Sequence, residues 1–206
     1  MWFYGPYLIL VLLSSAFLLN SEKGALVLLL QKDGTPLLDW FFVFYTHVGD
    51  GLFGTAVALL LLFINKKQAF SLGMGLILTG LISQLLKNTL GSDAGRPATL
   101  FDAETVLRQI EYLDRHMRHS MPSGHSSAAF CVFSMLALFS TKKTYGYVFL
   151  SLAVLVGLSR MYLAQHFLAD VVAGSFIGCC IGLIAYFLGN RWFGSVNMQK
   201  PLISLG

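Results

Sequence analysis

Long apolar runs alternate with short polar breaks along the whole chain. Six apolar segments stand out, at roughly Trp2–Leu19, Gly51–Ile64, Ala69–Leu86, Gly124–Phe139, Tyr145–Leu158 and Phe167–Leu188. A helix needs about 20 apolar residues to cross the hydrocarbon core of a bilayer, within a range of about 17–25. The second and fifth segments fall short, so they are predicted to extend into their flanks. Two weaker stretches precede the second segment. Ala25–Leu30 is too short to span. Leu37–Tyr45 carries Trp40, Phe41, Phe42, Phe44 and Tyr45 and reads as a helix lying at the membrane interface. The pattern predicts an all-α membrane protein: six transmembrane helices in one bundle, a single domain over residues 1–206, with a short interfacial helix before the second span.

Composition strengthens this reading. The chain is 56% hydrophobic and 12% charged, against about 25% charged in a soluble domain. Lipid is a solvent that tolerates the difference. The first segment lacks the basic start of a signal peptide, and no clear small-residue cleavage site follows it. It is therefore predicted to stay as a helix. Cys131, Cys179 and Cys180 lie inside apolar runs without metal-ligand spacing and read as small buried apolar residues. Gly73, Gly75 and Gly80, and then Gly174, Gly178 and Gly182 at intervals of four, suit close helix packing in lipid. Packing inside one bundle is preferred here to a dimer seam.

Charge then gives an orientation. Lys66 and Lys67 follow the second segment, Lys142 and Lys143 the fourth, and Arg191 and Lys200 the sixth. All ten acids lie in or beside the other three connections. Six crossings put the basic turns and both termini on one side, which the positive-inside rule makes cytoplasmic. The net charge of +4 comes with no basic arm and no nucleic-acid motif, so no nucleic-acid partner is expected.

Three polar clusters collect on the opposite, outward side. The first is Lys87 with Arg96-Pro97. Taken alone, Lys87 reads as a lysine reaching for the interface and Arg96 as an ordinary loop residue. The second is Pro122-Ser123-Gly124-His125. Ser123 is a candidate N-cap, Gly124 lets a ligand approach the backbone, and free amides at a helix start make a phosphate seat. An ordinary capped helix start with a satisfied histidine reads equally well. The third is Ser159-Arg160, then His166 and Asp170. Four residues apart, His166 and Asp170 share a helix face, and a carboxylate there holds one imidazole nitrogen while the other faces a substrate. A structural ion pair explains those two residues but leaves Arg160 over. Together the clusters supply two histidines, a carboxylate and three cations. Phosphoryl transfer needs those parts: a nucleophile, an acid for the leaving group and positive charge around the phosphate oxygens.

On these motifs the chain resembles the type 2 phosphatidic acid phosphatases (PAP2), which share their site with vanadium haloperoxidases. The resemblance spans about residues 87–170, and the six-helix pattern extends it along the chain. It implies His166 as nucleophile forming a phosphohistidine, with Asp170 orienting it. It makes His125 the acid for the leaving oxygen and then the base for water. Lys87, Arg96, Ser123, Gly124 and Arg160 would hold the phosphate. No metal or other cofactor is expected. One departure stands out: eight residues separate Lys87 from Arg96, where the family usually has six. The additional residues either loop out or carry Lys87 off the site. The charged loop at 98–121 reads as a solvated surface helix, or more sharply as a headgroup-selecting lid.

The function expected is a membrane lipid phosphatase or pyrophosphatase at the outer leaflet. Candidate substrates are a polyprenyl pyrophosphate, phosphatidylglycerophosphate, phosphatidate or lipid A. In a bacterium the polyprenyl carrier would come first. Transfer of the same phosphate to a second lipid is the alternative. A transporter using the charges without chemistry is the remaining class, disfavoured because no internal repeat is visible.

Overall fold

Backbone groups in lipid find no water, so apolar runs satisfy their own N–H and C=O groups as helices. The computed structural model describes residues 2–89, 91, 94–101, 107–110, 117–194 and 196–202. In chain order the helices are α1 (Tyr4–Asn20), α2 (Ala25–Lys32), α3 (Pro36–Tyr45), a 3-10 turn (Thr46–Gly49), α4 (Gly51–Leu62), α5 (Lys66–Thr89), α6 (Pro97–Leu100), α7 (Gly124–Phe139), α8 (Tyr145–Tyr162), α9 (Leu168–Trp192) and a second 3-10 turn (Val196–Gln199). No strand occurs among the described residues. Of the loop at 98–121, the start falls in the single turn of α6. Asp102, Glu104, Glu111, Asp114, Arg115 and His116 lie outside the described residues, so the predicted helix or lid does too.

Three helices, α5, α8 and α9, are each long and apolar enough to cross a membrane. Two further helix pairs pass the same test only when taken together. The pair α1 and α2 is bent by 103°, and the stretch Pro36–Gly49 meets α4 at 56°. By length and composition the described residues thus hold three spans, or up to five, where the sequence pattern predicts six. The sixteen-residue α7 is apolar but shorter than a full crossing. The breaks have local causes. Gly24 sits at φ +91°, a left-handed conformation that a side chain resists, and the Phe101 ring packs where its Cβ would be. Thr35 caps α3, its hydroxyl accepting from the Leu38 amide at 3.3 Å, with Pro36 at the first helical position.

Polarity is inverted relative to a soluble domain. Leu12, Leu52, Leu60, Ile77 and Phe187 stand on the outside, while Thr79, Ser123, Ser126, Ser127, Ser134 and Ser159 are buried. Apolar atoms facing outward mark an integral membrane protein. Inside, α7 is the central post, wrapped by α5, α8 and α9. Phe130 and Phe133 pack with Phe3, Tyr7 and Leu150 on one flank. Val132 and Met135 pack with Leu61, Leu72 and Ala185 on the other. The glycine stripe of α9 makes this possible. A Cβ on Gly174 would strike the Ser123 carbonyl, and one on Gly178 the Ser127 carbonyl. On Gly182 it would lie 2.7 Å from Ser134 Oγ. The stripe is therefore spent within the chain, against α7, as the bundle-packing expectation had it.

The bundle has two chemically different ends. At one, Lys67 Nζ donates to Asn190 Oδ1 at 3.0 Å, and the tail returns so that the Lys66 amide meets the Lys200 carbonyl at 3.3 Å. This end holds the starts of α5 and α8 and the end of α9. At the other end the last turn of α5, the start of α7, the end of α8 and the start of α9 converge.

Candidate active site

Arg160 lies in the last turn of α8, a turn that runs two residues beyond it to Tyr162. Its carbonyl accepts from the amides of Gln165 (2.9 Å) and His166 (3.2 Å), so the chain folds back at once. Ala164, at φ +51°, supplies the reversal. This tight return places His166 beneath the end of α8, only 2% exposed.

The relation of His166 to Asp170 differs from the shared helix face expected of it. His166 precedes α9, whose N-cap is Phe167. Asp170 is the third helical residue, and its Oδ2 reaches back to accept from the Phe167 amide at 2.9 Å. The same oxygen accepts from Ser120 Oγ at 2.5 Å and lies 3.5 Å from His166 Nδ1. The pair is thus built by a helix-start cap, which fixes the carboxylate before it meets the ring. Nδ1 is the ring nitrogen turned to the carboxylate, which leaves Nε2 for chemistry. Burial holds the His166 imidazole below its usual pKa. The Asp170 contact opposes that shift, and the charges of Arg160 and Arg96 reinforce it.

The second motif behaves as predicted at Ser123. Its hydroxyl accepts from the Ser126 amide at 3.3 Å and caps α7, and its own amide donates to the Asp170 carbonyl at 3.0 Å. That bond ties the start of α7 to the start of α9. Gly124 and His125 follow, and their amides are among the four that a helix cannot satisfy internally. Lys87 reaches this seat: its Nζ lies 3.7 Å from where a Cβ on Gly124 would be. Within the long interval before Arg96, the Gly91 amide bonds the Leu86 carbonyl at 2.9 Å. A Cβ on Gly91 would collide with the Met121 carbonyl.

Arg96 is more committed than expected. Its Nε donates to the Arg118 carbonyl (2.9 Å), NH1 to the carbonyl (3.2 Å) and side chain (3.1 Å) of Gln165, and NH2 to the His119 carbonyl (3.4 Å). A guanidinium has five N–H donors, so most of the fork fastens two segments of the site together. Arg160 is freer. NH1 donates to Thr46 Oγ1 at 2.7 Å, and the buried Nε has no hydrogen-bond partner among the described residues.

Residues 68–193, well over half of the chain, match the PAP2 superfamily. The chain belongs to that superfamily. It is 34% identical over 153 residues to a PA-phosphatase related-family protein of Dictyostelium discoideum, covering 66% of this chain and 55% of that one. It is 41% identical over 78 residues to phosphatidylglycerophosphatase B of Bacillus subtilis, covering 34% of this chain and 36% of that one. The matches thus span about half or less of these two relatives. A lipid A 4'-phosphatase of Porphyromonas gingivalis is 27% identical over 90% of this chain and 81% of its own length. The crystal structure of Aquifex aeolicus LpxE superposes with a TM-score of 0.67 at 25% identity, covering 79% of this chain and 93% of that one.

In this PAP2 chain the sequence motifs do not account for every group at the site. Thr46, Asp50, Ser120 and Gln165 also reach it. Asp50 Oδ1 lies 2.6 Å from His125 Nε2, and its Oδ2 lies 2.7 Å from His47 Nδ1. A cleft of about 430 Å³ opens beside them, lined by Asp50, Thr55, Thr79, Ser83, Lys87 and His125 among others. One signal was present in the sequence for Asp50: a carboxylate directly before a long apolar run, three residues after His47.

Proposed function

We propose that this chain is a lipid phosphatase or pyrophosphatase that works through a phosphohistidine on His166, without a metal. The observation that carries the reading is convergence. Helix ends far apart in sequence bring His166 with Asp170, His125, Lys87, Arg96 and Arg160 to one end of the bundle. The helix-start amides of Gly124 and His125, capped off by Ser123, lie among them. In the reaction, Nε2 of His166 attacks phosphorus while Asp170 steadies Nδ1. His125 gives a proton to the departing oxygen and later takes one from water. Lys87 and Arg160 hold the phosphate oxygens, with Arg96 contributing its charge and its remaining donor. The cleft along α4 and α5 takes the rest of the lipid.

The basic end of the bundle is cytoplasmic and the site end faces the outer leaflet, following the charge asymmetry of the turns. Among the substrates considered, a phosphate on lipid A is put first. The lipid A 4'-phosphatase is matched over most of both chains. Transfer to an acceptor lipid would use the same phosphohistidine. The test is phosphate release in detergent from lipid A, phosphatidylglycerophosphate, phosphatidate and a polyprenyl pyrophosphate, comparing the wild type with His166→Ala. Release from at least one lipid by the wild type, lost in the variant by a factor of at least about 10³, is the expected result. A variant that releases phosphate normally would sink the mechanism.

A further inference from the structure

We infer that Asp50 is a positioning residue that holds His125 in its proton-donating state, forming a second histidine–carboxylate pair beside that of His166. This rests on the phosphohistidine reading above. Asp50 stands at the N-cap of α4, where an aspartate side chain usually bonds the helix's own amides. Here it makes no such bond. Its carboxylate turns away from α4 and spans two imidazoles, His125 Nε2 at 2.6 Å and His47 Nδ1 at 2.7 Å.

The backbone is shaped for this approach. Gly49 lets the 3-10 turn come against α7, and a Cβ there would lie 2.9 Å from His125 Cβ and 3.0 Å from its carbonyl oxygen. The same turn sends Thr46 to Arg160. One short segment therefore touches a phosphate-binding group and the acid–base group together.

Chemistry explains why His125 needs a carboxylate. Among the described residues, the charged and titratable groups around it are Lys87 of α5, Arg160 of α8, His166 before α9, His47 of the 3-10 turn and Asp50 at the α4 N-cap. The cations suit a phosphate but oppose a positive imidazole. Asp50 is the carboxylate in contact with it, and it offsets that repulsion. With Nε2 held by Asp50, the proton to be transferred sits on Nδ1. As the N–P bond to His166 Nε2 forms, the P–O bond to the lipid breaks, and the Nδ1 proton of His125 passes to the leaving alkoxide oxygen. In the second half, water gives its proton back to Nδ1 and attacks phosphorus, and the N–P bond breaks to release phosphate. The Nε2–H of His125 stays paired with Asp50 throughout, while the ring passes from imidazolium to neutral imidazole and back.

Leaving groups separate this role from a structural one. A lipid alkoxide needs the proton to depart, whereas nitrophenolate leaves without it. The value of kcat/KM reports steps up to that departure only. For Asp50→Asn, kcat/KM on a short-chain phosphatidate should fall about 100-fold, the scale of general acid catalysis. On para-nitrophenyl phosphate it should fall less than about threefold. Equal losses on both substrates, or no loss on either, overturn the inference. Asp50→Glu keeps the carboxylate. It should recover part of the phosphatidate rate, and failure to exceed Asp50→Asn also overturns the proposal. His166→Ala must abolish turnover of both substrates. Should it not, the parent reading has failed. Should it do so while Asp50→Asn shows no substrate difference, only the present inference has failed.

Discussion

His166 is buried neutral beside two arginines, and this has a stability consequence. Its pKa in the fold lies below the ordinary 6.5, chiefly because burial disfavours the charged ring. As pH falls through 6.5, the unfolded chain takes up the proton first, so unfolding becomes easier. The contribution is complete above 6.5 and is lost downward from there toward the folded pKa. A thermal unfolding scan in detergent should show the midpoint falling as pH drops below 6.5, with a shallower fall for His166→Ala. Identical slopes for the two proteins would contradict this account. At this scale the sequence was a good guide wherever chemistry is local. Ser123 caps its helix as its position implied, and Lys87 Nζ lies beside Gly124 at the start of α7 despite its unusual spacing. Asp50, Thr46, Ser120 and Gln165 were missed for a physical reason. Each meets the site through a tertiary contact with a partner distant in sequence, and the one local cue, Asp50 standing before an apolar run, does not point to His125. Arg96 was visible as a motif residue, but its use as a fastener depends on carbonyls that no side-chain pattern encodes.

At the scale of elements, the long helices were legible because a sustained apolar run leaves the backbone no alternative in lipid. The predicted Gly124–Phe139 is α7 to the residue, and α5, α8 and α9 extend their predicted segments by several residues. The region before α4 was less legible. The runs there are short enough for turn chemistry at Gly24 and Thr35-Pro36 to decide their direction. The two glycine sets also behave differently. Gly178 abuts the Ser127 carbonyl, whereas a Cβ on Gly73 meets nothing within 4 Å. Gly178→Ala should therefore destabilise the protein by about 1–3 kcal/mol, the usual cost of overpacking. Gly73→Ala should leave the thermal midpoint nearly unchanged. The opposite ranking would mean that α7 and α9 are not packed as described.

For the whole molecule, the separation of a basic end from the end that gathers the candidate site makes a topological prediction. Cysteine introduced at Met117, exposed at the site end, should react in intact cells with a maleimide that cannot cross membranes. Cysteine at Lys143, exposed at the basic end, should react only after the cells are opened. The reverse pattern would invert the orientation. Of the native cysteines, Cys131 and Cys179 are buried and Cys180 is half-buried, so both variants are compared with the unmodified protein as the background.

The cleft has a consequence for how such a protein meets its substrate. It runs down α5 from Lys87 to Leu76, about 16 Å of helix rise, and so lies along the span and not above it. Thr55, Ile77, Gly80 and Gln84 on its walls are exposed on the flank of the bundle. A substrate that stays anchored in its leaflet arrives sideways, by diffusion in two dimensions. What sets its rate of arrival is then the number of substrate molecules per unit area of membrane. Bulk concentration in the surrounding water has little meaning for that encounter, and adding inert lipid slows it as surely as removing enzyme.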